Sequence, residues 1–292
     1  MVIGLGSMGG GIARSMLRAG LKVAGYDVSD ELQDAFRAEG GTDLPRPQAA
    51  TQAAAVVCVV VNAQQTDSVL FGDDGLAAHM QPGSVFVSCA TVPPEFARAT
   101  AARLAQSGIE YLDAPISGGS ARAGEGRLTV MASGSAAAFE RAAPVLDAMA
   151  EKVFRLGDEA GRGSALKVVN QLLAGVHIAA AAEAVTFGMT QGIDPATTLE
   201  VISECAGASW MFGNRVPHIV AGDYTAHSAV DIFVKDLDIV LDVAHRARFS
   251  APLTAAALQQ FVAASGAGFG REDDAAVAKI YARNAGLKLP GD

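Results

Sequence analysis

The chain has 292 residues, half of them hydrophobic and only 18% charged, so it can bury a large core, which excludes a disordered chain. A formal net charge of -9, a pI near 5.0 and no run of lysine or arginine exclude a nucleic-acid surface and point to a small-molecule ligand. Three widely spaced cysteines without a C-x-x-C, and five histidines without an i, i+4 pair, predict reduced thiols in the cytoplasm and no metal site.

Met1-Val2-Ile3 reads as a strand entering Gly4-Leu5-Gly6-Ser7-Met8-Gly9, after which Ile12, Ala13, Met16 and Leu17 follow a helical period to Gly20. This is G-x-G-x-x-G between strand and helix, the context in which the motif binds a dinucleotide. The first glycine allows the tight turn, the second lets backbone approach a pyrophosphate, and the third lets helix and strand pack closely. Only three residues precede the loop, few for a central strand, so the natural chain is expected to begin earlier.

Leu21 to Tyr26 reads as the next strand and ends at Asp27, about twenty residues beyond the loop, where a carboxylate accepts hydrogen bonds from an adenosine ribose and repels a 2'-phosphate. Val28 and Ser29 follow instead of arginine, so NAD is expected rather than NADP. Asp27 could instead only cap the helix near Glu31.

The apolar run Ala54 to Val61, then Val85 to Ser88, then Tyr111-Leu112-Asp113 alternate with helical stretches, one of them Glu95 to Gln106. That alternation predicts a parallel sheet. Ligands of such sheets bind beyond the carboxyl ends of strands, which places Val61, Asn62 and Thr91 beside the cofactor. Thr91 either bonds the nicotinamide ribose or the substrate, or caps the helix at Pro93.

Asp113-Ala114-Pro115-Ile116-Ser117-Gly118-Gly119 comes next, with Leu128-Thr129-Val130-Met131 further on. Ser117, Gly118 and Gly119 offer a hydroxyl and open backbone amides, suited to a carboxylate, or form only a flexible loop. A helix from Ser135 to Met149 and a short strand at Val153-Phe154 complete the first half.

From Ser164, read as an N-cap, to Gly192 the spacing predicts one long helix that is apolar on every side and therefore buried in the middle of the molecule. Lys167, Asn170 and Gln171 stand at i, i+3 and i+4 and share one face. A lysine in the first turn faces the positive end of the helix dipole, which favours the neutral amine that acid-base catalysis needs. These polar residues, and the lack of a leader-like N-terminus, argue against a membrane span.

Everything beyond is predicted helical: Pro195 to Glu204, Ser209 to Val220, Ser228 to Arg246, Pro252 to Ala264 and Asp273 to Ala282. Lys235 either reaches the site or belongs to a surface Lys-Asp pair with Asp236. The reading is an α/β Rossmann domain over residues 1–161, doubly wound with a mostly parallel sheet. An all-α domain over residues 162–292 follows, joined to it by the long central helix. Its apolar, Ala-rich faces predict a homodimer or homotetramer.

Gly4 to Gly9, Asp113 to Gly119, Gly163 to Gln171 and Lys235-Asp236-Leu237 together resemble the four blocks of the beta-hydroxyacid dehydrogenases, in that family's order and across almost the whole chain. The resemblance implies hydride transfer between a nicotinamide cofactor and a small hydroxy acid. It makes Lys167 the catalytic lysine, puts Ser117, Gly118, Gly119 and Asn170 or Gln171 on the substrate, and sets Thr91 and Lys235 at the border of cofactor and substrate. Many members carry Asn where Gln171 stands, one methylene shorter. Gln171 to Ala179 and Ala206 to Phe212 resemble the L-threonate dehydrogenase branch, in which Trp210 would wall the pocket, although an indole there equally suits a core. Within the family, 3-hydroxyisobutyrate and tartronate semialdehyde are the alternative substrates. A non-catalytic dinucleotide-binding module is the remaining, remote alternative.

Overall fold

The computed structural model describes residues 1–291, and the chain divides into two compact units, Met1–Lys167 and the remainder from Val168. In the first unit β1 (Val2–Ile3), β2 (Gly25–Tyr26), β3 (Ala55–Cys58), β4 (Val85–Ser88) and β5 (Glu110–Asp113) form a parallel sheet ordered β2-β1-β3-β4-β5. Successive residues of a strand face opposite sides. Val57, Val85, Val87 and Leu112 therefore join one core with Ile12, Met16 and Phe139. Val56, Cys58, Phe86 and Tyr111 join another with Leu70, Ala97 and Leu104. Burial on both faces is why these strands read as unbroken apolar runs.

Seven helices accompany the strands: α1 (Ser7–Arg18), α2 (Asp30–Ala38), α3 (Arg46–Gln52), α4 (Ala63–Phe71), α5 (Pro94–Ala105), α6 (Gly119–Glu125) and α7 (Ala136–Met149). Ser135 caps α7, its hydroxyl accepting from the Ala138 amide. The strand expected over Leu21 to Tyr26 pairs only at Gly25 and Tyr26, because its neighbour offers only Val2 and Ile3.

A second sheet was not expected. β6 (Ile116–Ser117) runs antiparallel to β7 (Leu128–Ala132), and β7 lies parallel to β8 (Ala150–Arg155). Gly118 and Gly119, at φ 139° and 77°, turn the chain out of β6 into α6, which returns it as β7. A bridge between Asp113 and Ser133 ties the end of β5 to the end of β7.

Helix α8 (Arg162–Thr190) is longer at its start than the sequence suggests. Ser164 lies inside the first turn rather than at the cap, because the capping acceptor comes from elsewhere in the chain. Nor is the helix buried all round: Leu166, Val169 and Leu173 are exposed along one side, and Phe187 nearer the far end. By length and composition α8 is able to cross a membrane. Its Ile178, Ala182 and Val185 pack instead in the core of the second unit, with Phe212, Val216, Phe233, Leu237, Phe261 and Ile280.

The second unit is otherwise α9 (Pro195–Ser203), α10 (Trp210–Ala221), α11 (Val230–Arg246), α12 (Pro252–Ala264) and α13 (Val277–Asn284). Asp194 and Ser209 cap α9 and α10. A Cβ at Gly175 would strike Leu237, so this glycine sets how closely α11 approaches α8. The single helix expected over Asp273 to Ala282 is a 3-10 turn, Asp274–Ala276, followed by α13, because Asp273 caps the turn through the Ala275 amide.

Candidate active site

The glycine loop separates what the fold requires from what a ligand requires. Gly4 has φ 88° and a side chain there would strike the Val59 carbonyl, while one on Gly9 would land on the Gly4 carbonyl. Both glycines are therefore demanded by the fold. Gly6 is different: its φ of -59° suits any residue, and a Cβ there meets nothing within 4 Å. No side chain caps α1, so the first-turn amides after Gly6 have no side-chain acceptor. A glycine needed by neither backbone nor packing, beside open amides at a helix N-terminus, fits the pyrophosphate of a dinucleotide.

Asp27 lies beyond β2 and accepts the Leu5 amide at 2.6 Å and the Ser29 amide at 3.0 Å. It thus joins the strand end to the glycine loop and does not cap α2, whose cap is Ser29. Asn62 caps α4 by accepting from the Gln65 amide, and the Val61 amide donates back to the Gln65 side chain at 2.8 Å. Both residues follow β3 at its carboxyl end. Thr91 follows β4 and does not cap α5, which starts at Pro94 without a side-chain cap bond. Its hydroxyl has no hydrogen-bond partner among the described residues and remains available.

Lys167 is placed by a buried network. Asp113, at the end of β5, accepts the Gly161 and Ser164 amides on Oδ2 at 2.9 and 2.8 Å and the Ser164 hydroxyl on Oδ1 at 2.6 Å. Ser133 accepts the Gly163 amide at 3.0 Å. A Cβ on Gly163 would run into the carbonyls of Met131 and Asp113, so the start of α8 is pressed against the strand ends. Burial pushes the Asp113 carboxyl above its ordinary range, and the bonds from Ser164, Gly161 and Ser133 pull it back. One turn on, Lys167 is buried and its Nζ donates to the Ile116 carbonyl at 2.9 Å. That carbonyl immediately precedes Ser117, so the amine is brought to the Ser117-Gly118-Gly119 turn within one unit. Ser117 ends β6 and Gly119 begins α6, so the turn is the junction of two elements.

In the second unit the polar face of α8 continues with Asn170 and Gln171. Gln171 is 6% exposed, and both ends of its amide are occupied. Its Nε2 donates to Asp236 Oδ2 at 2.5 Å, and its Oε1 accepts from Asn170 Nδ2 at 2.8 Å. Lys235 lies 2.5 Å from Asp236 Oδ1, and because Asp236 is buried this is not a surface pair. Trp210 opens α10 and is 62% exposed, which removes the core alternative.

Sequence reading gives no role in the site to Asp113 or Ser133, and gives Asp236 only a possible surface pair with Lys235. A signal existed for two of them. Asp113 ends a strand directly after the apolar Tyr111 and Leu112, and Asp236 falls on the Phe233, Leu237 and Val240 face of α11; acids so placed need buried partners.

Residues 1–157 match the model described as the NAD binding domain of 6-phosphogluconate dehydrogenase. Residues 161–281 match that described as NAD-binding of NADP-dependent 3-hydroxyisobutyrate dehydrogenase. The chain is 54% identical to an L-threonate dehydrogenase of Cupriavidus necator over 291 residues, 99% of this chain and 97% of that enzyme. It is 48% identical to an L-threonate dehydrogenase of Escherichia coli K12, over 99% of this chain and 96% of that enzyme. A crystal structure of a 3-hydroxyisobutyrate dehydrogenase from Salmonella typhimurium superposes with a TM-score of 0.90 at 49% identity, covering 96% of this chain and 98% of that one.

Proposed function

The chain belongs to the beta-hydroxyacid dehydrogenase family, enzymes that act on a CH-OH group with a nicotinamide dinucleotide, and we propose that its reaction is the NAD-dependent oxidation of L-threonate at C2 to the 2-oxo acid. The substrate choice is supported by 54% and 48% identity to L-threonate dehydrogenases over nearly the full length. Preference for NAD is supported by Asp27 at the end of β2, a carboxylate that repels a 2'-phosphate.

The observation that carries the mechanism is the buried Lys167 amine, 2.9 Å from the carbonyl that leads into Ser117. Ser117, Gly118 and Gly119 hold the substrate carboxylate, and the C2 hydroxyl sits against Lys167. The neutral amine takes the hydroxyl proton as the carbonyl forms, and the ammonium returns it in reduction. A bound nicotinamide supplies the acceptor for the hydride leaving C2. In the first unit Gly4, Leu5, Gly6, Ser7, Met8 and Gly9 would hold the pyrophosphate, and Val61, Asn62 and Thr91 would border the cofactor; in the second unit Lys235, Asn170, Gln171 and Trp210 keep the cofactor and substrate roles that the family resemblance implies.

The exposed stripe of Leu166, Val169 and Leu173 supports association with further copies of the chain, as a homodimer or homotetramer. Cys58 and Cys89, buried and unpaired, support a cytoplasmic location. The Salmonella structure described as a 3-hydroxyisobutyrate dehydrogenase favours a second reading with that acid as substrate.

NADH formation with L-threonate, D-threonate, D-erythronate, 3-hydroxyisobutyrate, glycerate and serine, each with NAD and NADP, separates the readings. Preference for L-threonate with NAD is the expected result. Preference for 3-hydroxyisobutyrate moves the substrate and keeps the lysine mechanism.

A further inference from the structure

The arginines on and beside α6 have partners, with one exception. Arg127 is held by Glu125 and Glu151 at 3.4 and 3.2 Å, and Arg18 donates to the Gly124 carbonyl. Arg122 is partly buried and makes no hydrogen bond or ion pair among the described residues. Glu125, at the i, i+3 position from Arg122, pairs with Arg127 instead. The stem of Arg122 lies over the Ser117-Gly118-Gly119 turn. A Cβ on Gly118 would stand 3.1 Å from the Arg122 Cδ and 3.2 Å from its Cβ, so the stem occupies the space of the missing side chain. Nε, the first guanidinium atom, is bonded to that Cδ, which brings the positive charge to the turn. A Cβ on Gly119 would meet nothing within 4 Å, so the turn has open space at its second glycine. All of these residues belong to the first unit.

A partly buried guanidinium has given up water without gaining a partner, a cost that an anion removes. We infer that Arg122 is a specificity-determining residue that pairs with the substrate carboxylate at this turn and so selects acids over uncharged alcohols of the same shape. The inference rests on the reading of Ser117, Gly118 and Gly119 as the carboxylate site and deepens it. A hydroxyl and backbone amides suit any hydrogen-bond acceptor, whereas a guanidinium fork matches two carboxylate oxygens and requires their charge. Gly118 then has a second reason to be glycine besides its φ of 139°, because a side chain would displace the arginine stem. The cofactor pyrophosphate is the other anion that this unit would hold. Arg122, however, packs on Gly118, while α6 meets Gly11 of α1 through Ala123 and Gly124.

The test compares kcat/KM for L-threonate with that for its uncharged amide; where the amide turns over too slowly, its inhibition constant is used. Arg122→Met keeps an unbranched stem over Gly118 and removes the charge, and Arg122→Lys keeps the charge. In Arg122→Met the ratio of acid to amide is expected to fall at least about tenfold, through KM rather than kcat, and in Arg122→Lys much of it should return. KM for the acid should rise with added salt in the wild type and do so less steeply in Arg122→Met. The melting temperature and the dissociation constant for NAD should stay the same. An unchanged ratio, or equal losses for acid and amide that Arg122→Lys does not restore, would overturn the inference. So would weaker NAD binding with the ratio intact, which would give Arg122 to the pyrophosphate. If the wild-type enzyme oxidises another acid and not L-threonate, the substrate reading fails alone, and the ratio is taken with that acid and its amide. If it oxidises no hydroxy acid, the carboxylate reading of the turn fails before any variant is made, and the inference falls with it.

Discussion

Asp113 holds Ser164 by two bonds, accepting its hydroxyl at 2.6 Å and its amide at 2.8 Å, and so fixes the start of α8 from the end of β5. Lys167 follows three residues later, and its amine is directed by this anchor. Asp113→Ala strands the Gly161 and Ser164 amides and the Ser164 hydroxyl away from water. It should cost about 3 kcal/mol or more of stability, measured by urea unfolding. Its kcat should fall by at least about tenfold, because a displacement of about an ångström at the catalytic amine is costly. Wild-type kcat in a folded Asp113→Ala protein would detach the cap from catalysis.

Lys167→Ala should bind NAD normally and lose about three orders of magnitude in turnover, within the usual range for removing a general base. Lys167→Arg, which stays charged and cannot take the hydroxyl proton, should not recover the rate. Retention of more than a few per cent of wild-type rate by Lys167→Ala would show that another group moves the proton.

Gly6 and Gly9 should answer alanine in opposite ways. Gly6→Ala has an allowed φ and open space, so the protein should fold with unchanged melting temperature while the stabilisation gained on adding NAD falls markedly. Gly9→Ala drives a methyl into the Gly4 carbonyl and should unfold at lower temperature even without NAD. Equal loss of stability in both would mean that Gly6, too, serves the fold.

Asp274 contributes a pH dependence to the second unit. Burial pushes its carboxyl up to about 6, against the pull of Arg215, while Asp273 beside it adds repulsion. The folded chain thus holds a proton that the unfolded chain, at its ordinary 3.8, has released. The contribution of this group is complete below that ordinary value and is lost as pH rises through about 6. Asp274→Asn does not titrate. The melting temperature of wild type relative to this variant should therefore fall by a few degrees, on the order set by a two-unit shift, between acid and neutral pH. A difference independent of pH would contradict the raised value.

Much of the site was legible because it depends on neighbours in sequence. The glycine loop follows from strand and helix flanking a fixed spacing. The shared face of Lys167, Asn170 and Gln171 follows from 3.6 residues per turn, and the apolar strands follow from burial on both faces. Such features are dictated by covalent geometry and local period, so the chain carries them wherever it folds. Tertiary structure decided the rest: that Asp113 rather than Ser164 caps α8 from 51 residues away, that Asp236 reaches Gln171 across 65, and that Thr91 is left uncapped and available. The first two join buried polar groups that must find a partner once water is excluded. Which partner each finds depends on the segments that packing brings together, and no spacing along the chain records that.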